Sequence, residues 1–390
     1  LSILWDFLLR HPIGVSFASL PSVFQPFDSK WGLLGADILM NGILNALFCY
    51  GIFGFVVIGA YLLSGRDATM RVYLFICASF NGALFAAAAQ FGFAAKAIFI
   101  KLAYAAHPGL DAVTLLAIRM LFSLPFFLFM AWLGNRDNGN TNMPRQPLSR
   151  GDWGFVVLLG FIGYYLSSFL DFWGLQFISA GLERLILFTN PTIVVVLSAL
   201  FLRKHITGRV ALALLVSYAG LALAYWHDLV ITSDTRALVT GTVLVFLSAL
   251  CYAIYMMVGT GLTRRIGSTR FTAYMMLVAT GFVMAQFFIM RPLSALDLPP
   301  TIYLYGVGLA IFSTAAPVWM MAEALKRIGA SDASMIGTVG PVITIFLGVI
   351  FLGEQVSLLQ LIGAGLVLAG VAMISLNKTA PKPPDTPPTR

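Results

Sequence analysis

Residues 178–222 read ISAGLERLILFTNPTIVVVLSALFLRKHITGRVALALLVSYAGLA, and residues 328–372 read IGASDASMIGTVGPVITIFLGVIFLGEQVSLLQLIGAGLVLAGVA. Laid over one another without a gap, they pair Ile178 with Ile328, Ala180 with Ala330, Ile186 with Ile336, Pro191 with Pro341 and Ile193 with Ile343. The register holds through Leu197 and Leu347, Phe201-Leu202 and Phe351-Leu352, Ala219-Gly220 and Ala369-Gly370, and Ala222 and Ala372. An apolar composition yields some such matches by chance. A proline, a Phe-Leu pair and a glycine that keep one offset are harder to obtain that way, so the segment reads as duplicated.

The surrounding chain is a membrane chain by composition. Hydrophobic residues make up 59% and charged residues 10% of 390, with mean hydropathy +0.90, whereas a soluble domain carries about a quarter charged residues. Apolar stretches fall at 38–63, 74–100, 113–133, 154–175, 182–202, 210–226, 238–258, 271–290, 302–322, 334–352 and 358–376. Lengths near 20 residues suit helices that cross a bilayer, and in lipid each helix must satisfy its own backbone groups. The expected fold class is an all-α polytopic membrane protein: ten helices in two inverted five-helix repeats, with an extra amino-terminal helix if 38–63 also spans. A membrane chain in two related halves is a transporter pattern.

Charge sets the expected orientation. With the ten-helix unit entering from a cytoplasmic end near Arg71, inside connections hold Arg136, Arg145, Arg150, Arg203, Lys204, Arg209, Arg264, Arg265, Arg270, Lys326, Arg327, Lys378, Lys382 and Arg390. Outside there are Arg184, Arg236, Arg291 and Lys101. That bias places both ends of the unit in the cytoplasm, and it accounts for most of the net charge of +8 without a nucleic-acid partner. Five helices per half is odd, so the second half enters upside down. The copies agree: Phe201-Leu202 leads into Arg203-Lys204, while Phe351-Leu352 leads into Gly353-Glu354.

Several stretches resemble the drug/metabolite transporter superfamily, in its two-domain EamA branch. They are Ala97-Ile98-Phe99-Ile100-Lys101-Leu102 with Arg119 in the next helix, Gly174 to Arg184, and the Phe351-Leu352-Gly353-Glu354 helix end. The resemblance covers about 74–376. It implies a ten-helix transporter of small organic solutes, often an exporter, working by alternating access between two five-helix halves. The chain departs from the pattern where Arg203-Lys204 replaces the Gly-Glu often found at the end of the fourth helix, which leaves Glu354 alone to supply that acid.

Candidate site residues follow from charges that topology leaves unexplained. Lys96, Lys101, Arg119, Asp171, Glu183, Arg184 and Glu323 lie in or near apolar spans, where a charge at the bilayer centre costs at least about 2.5 kcal/mol unless it faces protein or water. Lys101, Arg119, Asp171, Glu183 and Arg184 lie towards the outer side of the first half, where they can form a basic lining for an anionic or zwitterionic solute with Asp171 as counter-ion. Interfacial ion pairs that lock helices are the competing reading. Lys96 is the deepest cation and has no acid within a turn. Asp171 and Glu323 are the candidates for proton coupling. Pro191 and Pro341 delete backbone hydrogen bonds at matching places in the two halves and point to a central cavity; a kink that only shapes the bundle is the alternative. Tyr164, Tyr165, Tyr252 and Tyr255 either line a pathway or fill space. Ala213/Ser217 and Gly365/Ala369 suit close helix contact, within the bundle or at a homodimer face.

The expected organisation is 1–69 as an extension with a further helix or a mis-assigned start before Met70, 74–226 and 236–376 as the two repeats, and 377–390 as a disordered cytoplasmic tail. Cys49, Cys77 and Cys251 lie in apolar spans and give no disulfide framework. His11, His107, His205 and His227 lack metal-ligand spacing, and no nucleophile elbow, Walker A or His-Glu-x-x-His pattern occurs. Enzyme chemistry, a catalytic residue, a cofactor and a metal are therefore not expected. The expected partners are a small-molecule substrate and the lipid bilayer of the cytoplasmic membrane. A lipid flippase or a structural membrane subunit remains the alternative function.

Overall fold

The computed structural model describes residues 66–136, 149–203, 205–232 and 234–377. The proposed extra span 38–63, most of the loop 134–150 and the tail after Asn377 lie outside the described residues. The chain divides into two units, Leu1–Cys77 and Ala78–Arg390, and the helical bundle is built within the second. Among the described residues there is no strand.

The first repeat consists of α1 (Arg66–Ala106), α2 (Ala112–Arg136), α3 (Arg150–Leu159) continued through a π-turn (Gly160–Leu166) into α4 (Ser167–Gly174), α5 (Ala180–Phe188), α6 (Asn190–Leu202) and α7 (Gly208–Ile231). The second consists of α8 (Thr235–Ile266), α9 (Ser268–Met290), α10 (Pro300–Ala310), a π-turn (Ile311–Ala315), α11 (Ala316–Gly337), α12 (Gly340–Leu347) with a terminal π-turn (Gly348–Leu352), and α13 (Leu358–Asn377). Nine helical spans are long and apolar enough to cross a membrane among the described residues, and Leu358–Ile374 is a shorter apolar helix. These make ten crossings.

Helix packing exposes the inversion. Gly363 lies against Gly220 to Ala224 and Gly370 against Ala213 and Ser217, so α7 and α13 run antiparallel. The equivalent helices α2 and α9 do the same, with Asp111 beside Arg291, Met120 beside Thr280 and Gly134 beside Arg270. Two copies of one helix can meet antiparallel only when one repeat is upside down. The remaining cross-pairs are reciprocal: α1 packs on α10 and α11 through Gly82, Gly92 and Gly308, and α8 packs on α3 and α4 through Gly163, Gly174 and Gly241. At the α7–α13 seam the glycines are needed for approach, since a Cβ on Gly370 would lie 2.1 Å from Ser217 Oγ. Of the two readings of Gly365 and Ala369, packing within the bundle or at a homodimer face, the first is not met in α13. Gly365 has open space around it and Ala369 is exposed, and the seam is made by Gly363, Val367 and Gly370.

Backbone irregularities recur with the same symmetry. The π-turns at Gly160–Leu166 and Ile311–Ala315 occupy equivalent positions at the offset that carries Ile178 to Ile328. The fourth crossing is interrupted at Thr189 and the ninth at Thr338-Val339. Pro191 and Pro341 stand in the first turn of the helices that restart there, where a missing N–H is no loss. They therefore mark breaks rather than bends within continuous helices, and the Thr189 and Thr338 hydroxyls donate to Ile186 O and Met335 O at 2.6 Å. The crossings end alike, in the left-handed region at Arg203 (φ 52°) and Gly353 (φ 64°). Glycine adopts this freely, whereas arginine carries a penalty of about 1–2 kcal/mol.

Candidate functional site

Three elements of the first half deliver one charged cluster. Lys96 on α1 places its Nζ 2.6 Å from Asp171 Oδ2 on α4 and 3.0 Å from Glu183 Oε1 on α5. Asp171 and Glu183 are 3% and 0% exposed. The cation thus does have acid partners, but they come from other helices, which spacing along α1 cannot reveal. Glu183 and Arg184, neighbours in sequence, turn different ways. Arg184 Nη2 donates to Gln90 Oε1 at 3.4 Å, and a Cβ on Gly340 would approach that Nη2 to 2.8 Å. Arg184 therefore reaches from the first half to the break in the ninth crossing, and Gly340 leaves room for it.

Arg119 on α2 enters the same region. Its Nε donates to Thr314 Oγ1 at 3.1 Å, and its guanidinium lies 5.3 Å from the centre of the Phe172 ring. Thr314 belongs to the π-turn of the eighth crossing and returns its hydroxyl to Leu309 O. Lys96, Arg119 and Arg184 against Asp171 and Glu183 leave one positive charge in excess.

Several buried polar atoms here lack a hydrogen-bond partner: Asp171 Oδ1, Glu183 Oε2, Arg184 Nε, Asn190 Oδ1 and Ser313 Oγ, while Glu183 Oε1 has its ion pair with Lys96. Such atoms are costly, and each asks for an explanation. Asn190 opens α6 at the first break. At 1.5 Å per residue Thr189 is about 14 Å from the start of α5, near the middle of a ~30 Å apolar layer. The breaks and the polar atoms are therefore at comparable depth.

Lys101 and Glu354 join the two halves at one end of the bundle. Glu354 Oε1 accepts from Lys101 Nζ at 3.1 Å and from Ala180 N–H at 2.8 Å, while Lys101 Nζ also donates to Ile178 O at 2.8 Å. Next to them, His227 Nε2 lies 3.0 Å from Gln355 O, and Ser179 N–H donates to Asp228 Oδ2 at 3.3 Å. Gly348 makes this possible, since a Cβ there would lie 2.8 Å from Glu354 Oε2. Glu323 lies apart, near the opposite end, where it accepts from Arg327 at 2.9 Å beside Phe85. Also at that end, Arg265 pairs with Asp152, which closes a capping box with Ser149. Of the sequence candidates, Lys96, Arg119, Asp171, Glu183 and Arg184 come together, Lys101 sits above them, and Glu323 does not join.

Three of the four candidate tyrosines cluster, while Tyr165 packs against Phe161 and Phe282. Tyr164 and Tyr255 hydroxyls lie 3.3 Å apart, Tyr252 packs edge-on to Tyr164, and Tyr255 stacks on Phe271. Gln90, Asn190, Thr314 and Gly340 escaped sequence reasoning. Asn190 and Gly340 each precede the paired prolines, which was the one available signal; nothing in the sequence marks the π-turn that presents Thr314.

The chain is similar to known proteins throughout this bundle. The family model described as the EamA-like transporter family matches residues 80–226 and again 239–376. An uncharacterized transporter of Bacillus subtilis (strain 168), YcbK, is 33% identical over 282 residues, covering 70% of this chain and 86% of YcbK. The threonine/homoserine exporter RhtA of Escherichia coli (strain K12) is 27% identical over 208 residues, covering 52% of this chain and 64% of RhtA. One solved crystal structure matches with a TM-score of 0.52 at 17% identity, covering 76% of this chain and 96% of that one, a likeness of fold alone.

Proposed function

The chain belongs to the EamA-like transporter family, and from that premise we propose that it exports a small zwitterionic metabolite of the amino-acid kind across the cytoplasmic membrane. Its two inverted halves alternate access to a central site, and its carboxyl terminus lies in the cytoplasm. The supporting observation is the buried cluster of Lys96, Asp171, Glu183, Arg119 and Arg184 beside the helix breaks. Its excess positive charge suits a carboxylate, and its unpartnered carboxylate oxygens suit an ammonium group. RhtA, named as an exporter of two amino acids, supports the same class. Broken helices near mid-membrane, one in each repeat, are the usual form of such a site. The orientation rests on the basic residues at the Arg150, Arg203 and Arg327 end.

Purified protein in proteoliposomes, loaded with radiolabelled L-threonine or L-homoserine, tests the reading. Efflux above that of empty liposomes, lost in Arg184→Ala, supports it. Movement of a fluorescent phospholipid between leaflets without amino-acid efflux would instead favour a flippase and overturn it.

A further inference from the structure

Arg119 is a buried cation without an acid. It is 8% exposed, yet among the described residues it forms no ion pair, whereas Lys96, Lys101, Arg265, Arg291 and Arg327 each meet a carboxylate. Its two partners are neutral. Nε donates to Thr314 Oγ1 at 3.1 Å, and the guanidinium lies 5.3 Å from the centre of the Phe172 ring. An uncompensated buried charge is strongly destabilising, so its presence here asks for an anion.

The way Arg119 is held leaves one set of donors free. A guanidinium carries five N–H donors in a fixed plane, and Thr314 takes only that of Nε. Nη1 and Nη2 hydrogen-bond to nothing among the described residues. These two nitrogens form the end-on face of the fork, which matches the two oxygens of one carboxylate. Thr314 is itself fixed: its hydroxyl donates to Leu309 O at 2.9 Å, so towards Arg119 it can only accept. Ser313, on the same π-turn, is 3% exposed and its Oγ is without a partner, which adds an unused hydroxyl. The other cations of the cluster are directed elsewhere. Lys96 is taken by Asp171 and Glu183, and Arg184 turns to Gln90 and Gly340.

We propose that Arg119 anchors the carboxylate of the transported solute, bound end-on by Nη1 and Nη2, and that Thr314 is a positioning residue that aims the fork. This rests on the zwitterion reading above and deepens it. Arg119 comes from the first repeat and Thr314 from the second, so a solute held here touches a group that both halves keep in place. Specificity follows. A solute whose carboxylate is replaced by an amide leaves the buried cation as unneutralised as in the empty site and is rejected. Lysine cannot substitute, because one ammonium lacks the planar fork that serves Thr314 and both carboxylate oxygens together.

Isothermal titration of the purified protein with L-threonine and, separately, with L-threoninamide reads the subsite. Wild type should favour L-threonine by about 10- to 100-fold, the range for a hydrogen bond to a charged group. Arg119→Gln should lose that preference by weakening L-threonine alone. Thr314→Val should weaken L-threonine several-fold and spare L-threoninamide, and Thr314→Ser should recover wild-type affinity. Equal affinities in wild type, or a preference undiminished in Arg119→Gln, overturns the anchor; equal loss of both ligands in Thr314→Val overturns the positioning role. Thermal melting confirms that each variant is folded, and if Arg119→Gln is not, Arg119→Lys takes its place with the same expected loss of preference. If wild type binds neither L-threonine nor L-homoserine, acetate separates the two failures. A higher melting temperature in acetate than in chloride at equal ionic strength, in wild type but not in the Arg119 variant, fails the amino-acid reading and keeps the carboxylate subsite. No difference between the two salts, or the same difference in both proteins, removes the subsite as well.

Discussion

Replacing Glu354 by Gln should open the end of the bundle that holds Lys101 and Glu354. Glu354 belongs to the second half, and its Oε1 holds two groups of the first, Lys101 Nζ at 3.1 Å and the Ala180 N–H at 2.8 Å. Its side chain is 15% exposed and that of Lys101 25%, so solvent screens the pair only in part. A hydrogen bond to a charged group contributes about 1.5–3 kcal/mol. The amide keeps an oxygen for Ala180 N–H but loses the charge that holds Lys101. The closed arrangement should therefore lose about 2 kcal/mol relative to one in which the halves part here, a shift of about 30-fold in that equilibrium. The assay is thiol labelling at that end. Cysteines at Gln176 and Leu358, both exposed, are introduced singly after Cys49, Cys77 and Cys251 have been replaced by alanine, and spin-label distances are read between the two positions in the double variant. Glu354→Gln should give a longer, broader distance distribution and faster labelling of a cysteine introduced beneath the Lys101–Glu354 contact, in Ala97→Cys, where the wild-type side chain is buried. An unchanged distribution would show that the contacts merely accompany closure and would refute the reasoning.

The helix seam offers a sharper contrast of single methyl groups. Gly370→Ala drives a Cβ to 2.1 Å from Ser217 Oγ and 2.6 Å from Ala213 O and should destabilise by about 1–3 kcal/mol, whereas Gly365→Ala meets open space and should be neutral or gain up to about 1 kcal/mol; thermal melting in detergent separates the two. Lys96→Met leaves Asp171 and Glu183 buried without their cation and should cost about 3–5 kcal/mol, visible as a lowered melting temperature that Lys96→Met with both Asp171→Asn and Glu183→Gln recovers. Arg203→Gly relieves the left-handed φ of 52° and should stabilise by about 1 kcal/mol, with the gain absent in Gly353→Ala, which should be destabilised instead. A protease-cleavable tag after Arg390 should be cut only in inside-out vesicles if the carboxyl terminus is cytoplasmic.

The sequence by itself determined the membrane class, the ten crossings and the duplication, because each rests on composition and on spacing along one helix. A run of apolar residues must be helical in lipid, and the Pro191/Pro341 register survives any arrangement of the helices. It also singled out the charges buried in the bundle, since a lysine or glutamate within an apolar span stands out whatever surrounds it. Partnership was another matter. Lys96 meets Asp171 and Glu183 only because α1, α4 and α5 are brought side by side, and Glu323 falls away from them because the eighth crossing carries it to the other end. The prolines were legible as special positions, but whether each bends a helix or begins one depends on how Thr189 and Thr338 satisfy the carbonyls before them. Likewise Gly363 and Gly370, rather than Gly365, form the seam because of the rotation of α13 against α7, which is set by side-chain contact and not by the four-residue spacing. Local backbone physics fixes where helices form; only packing between them decides which buried charges face one another.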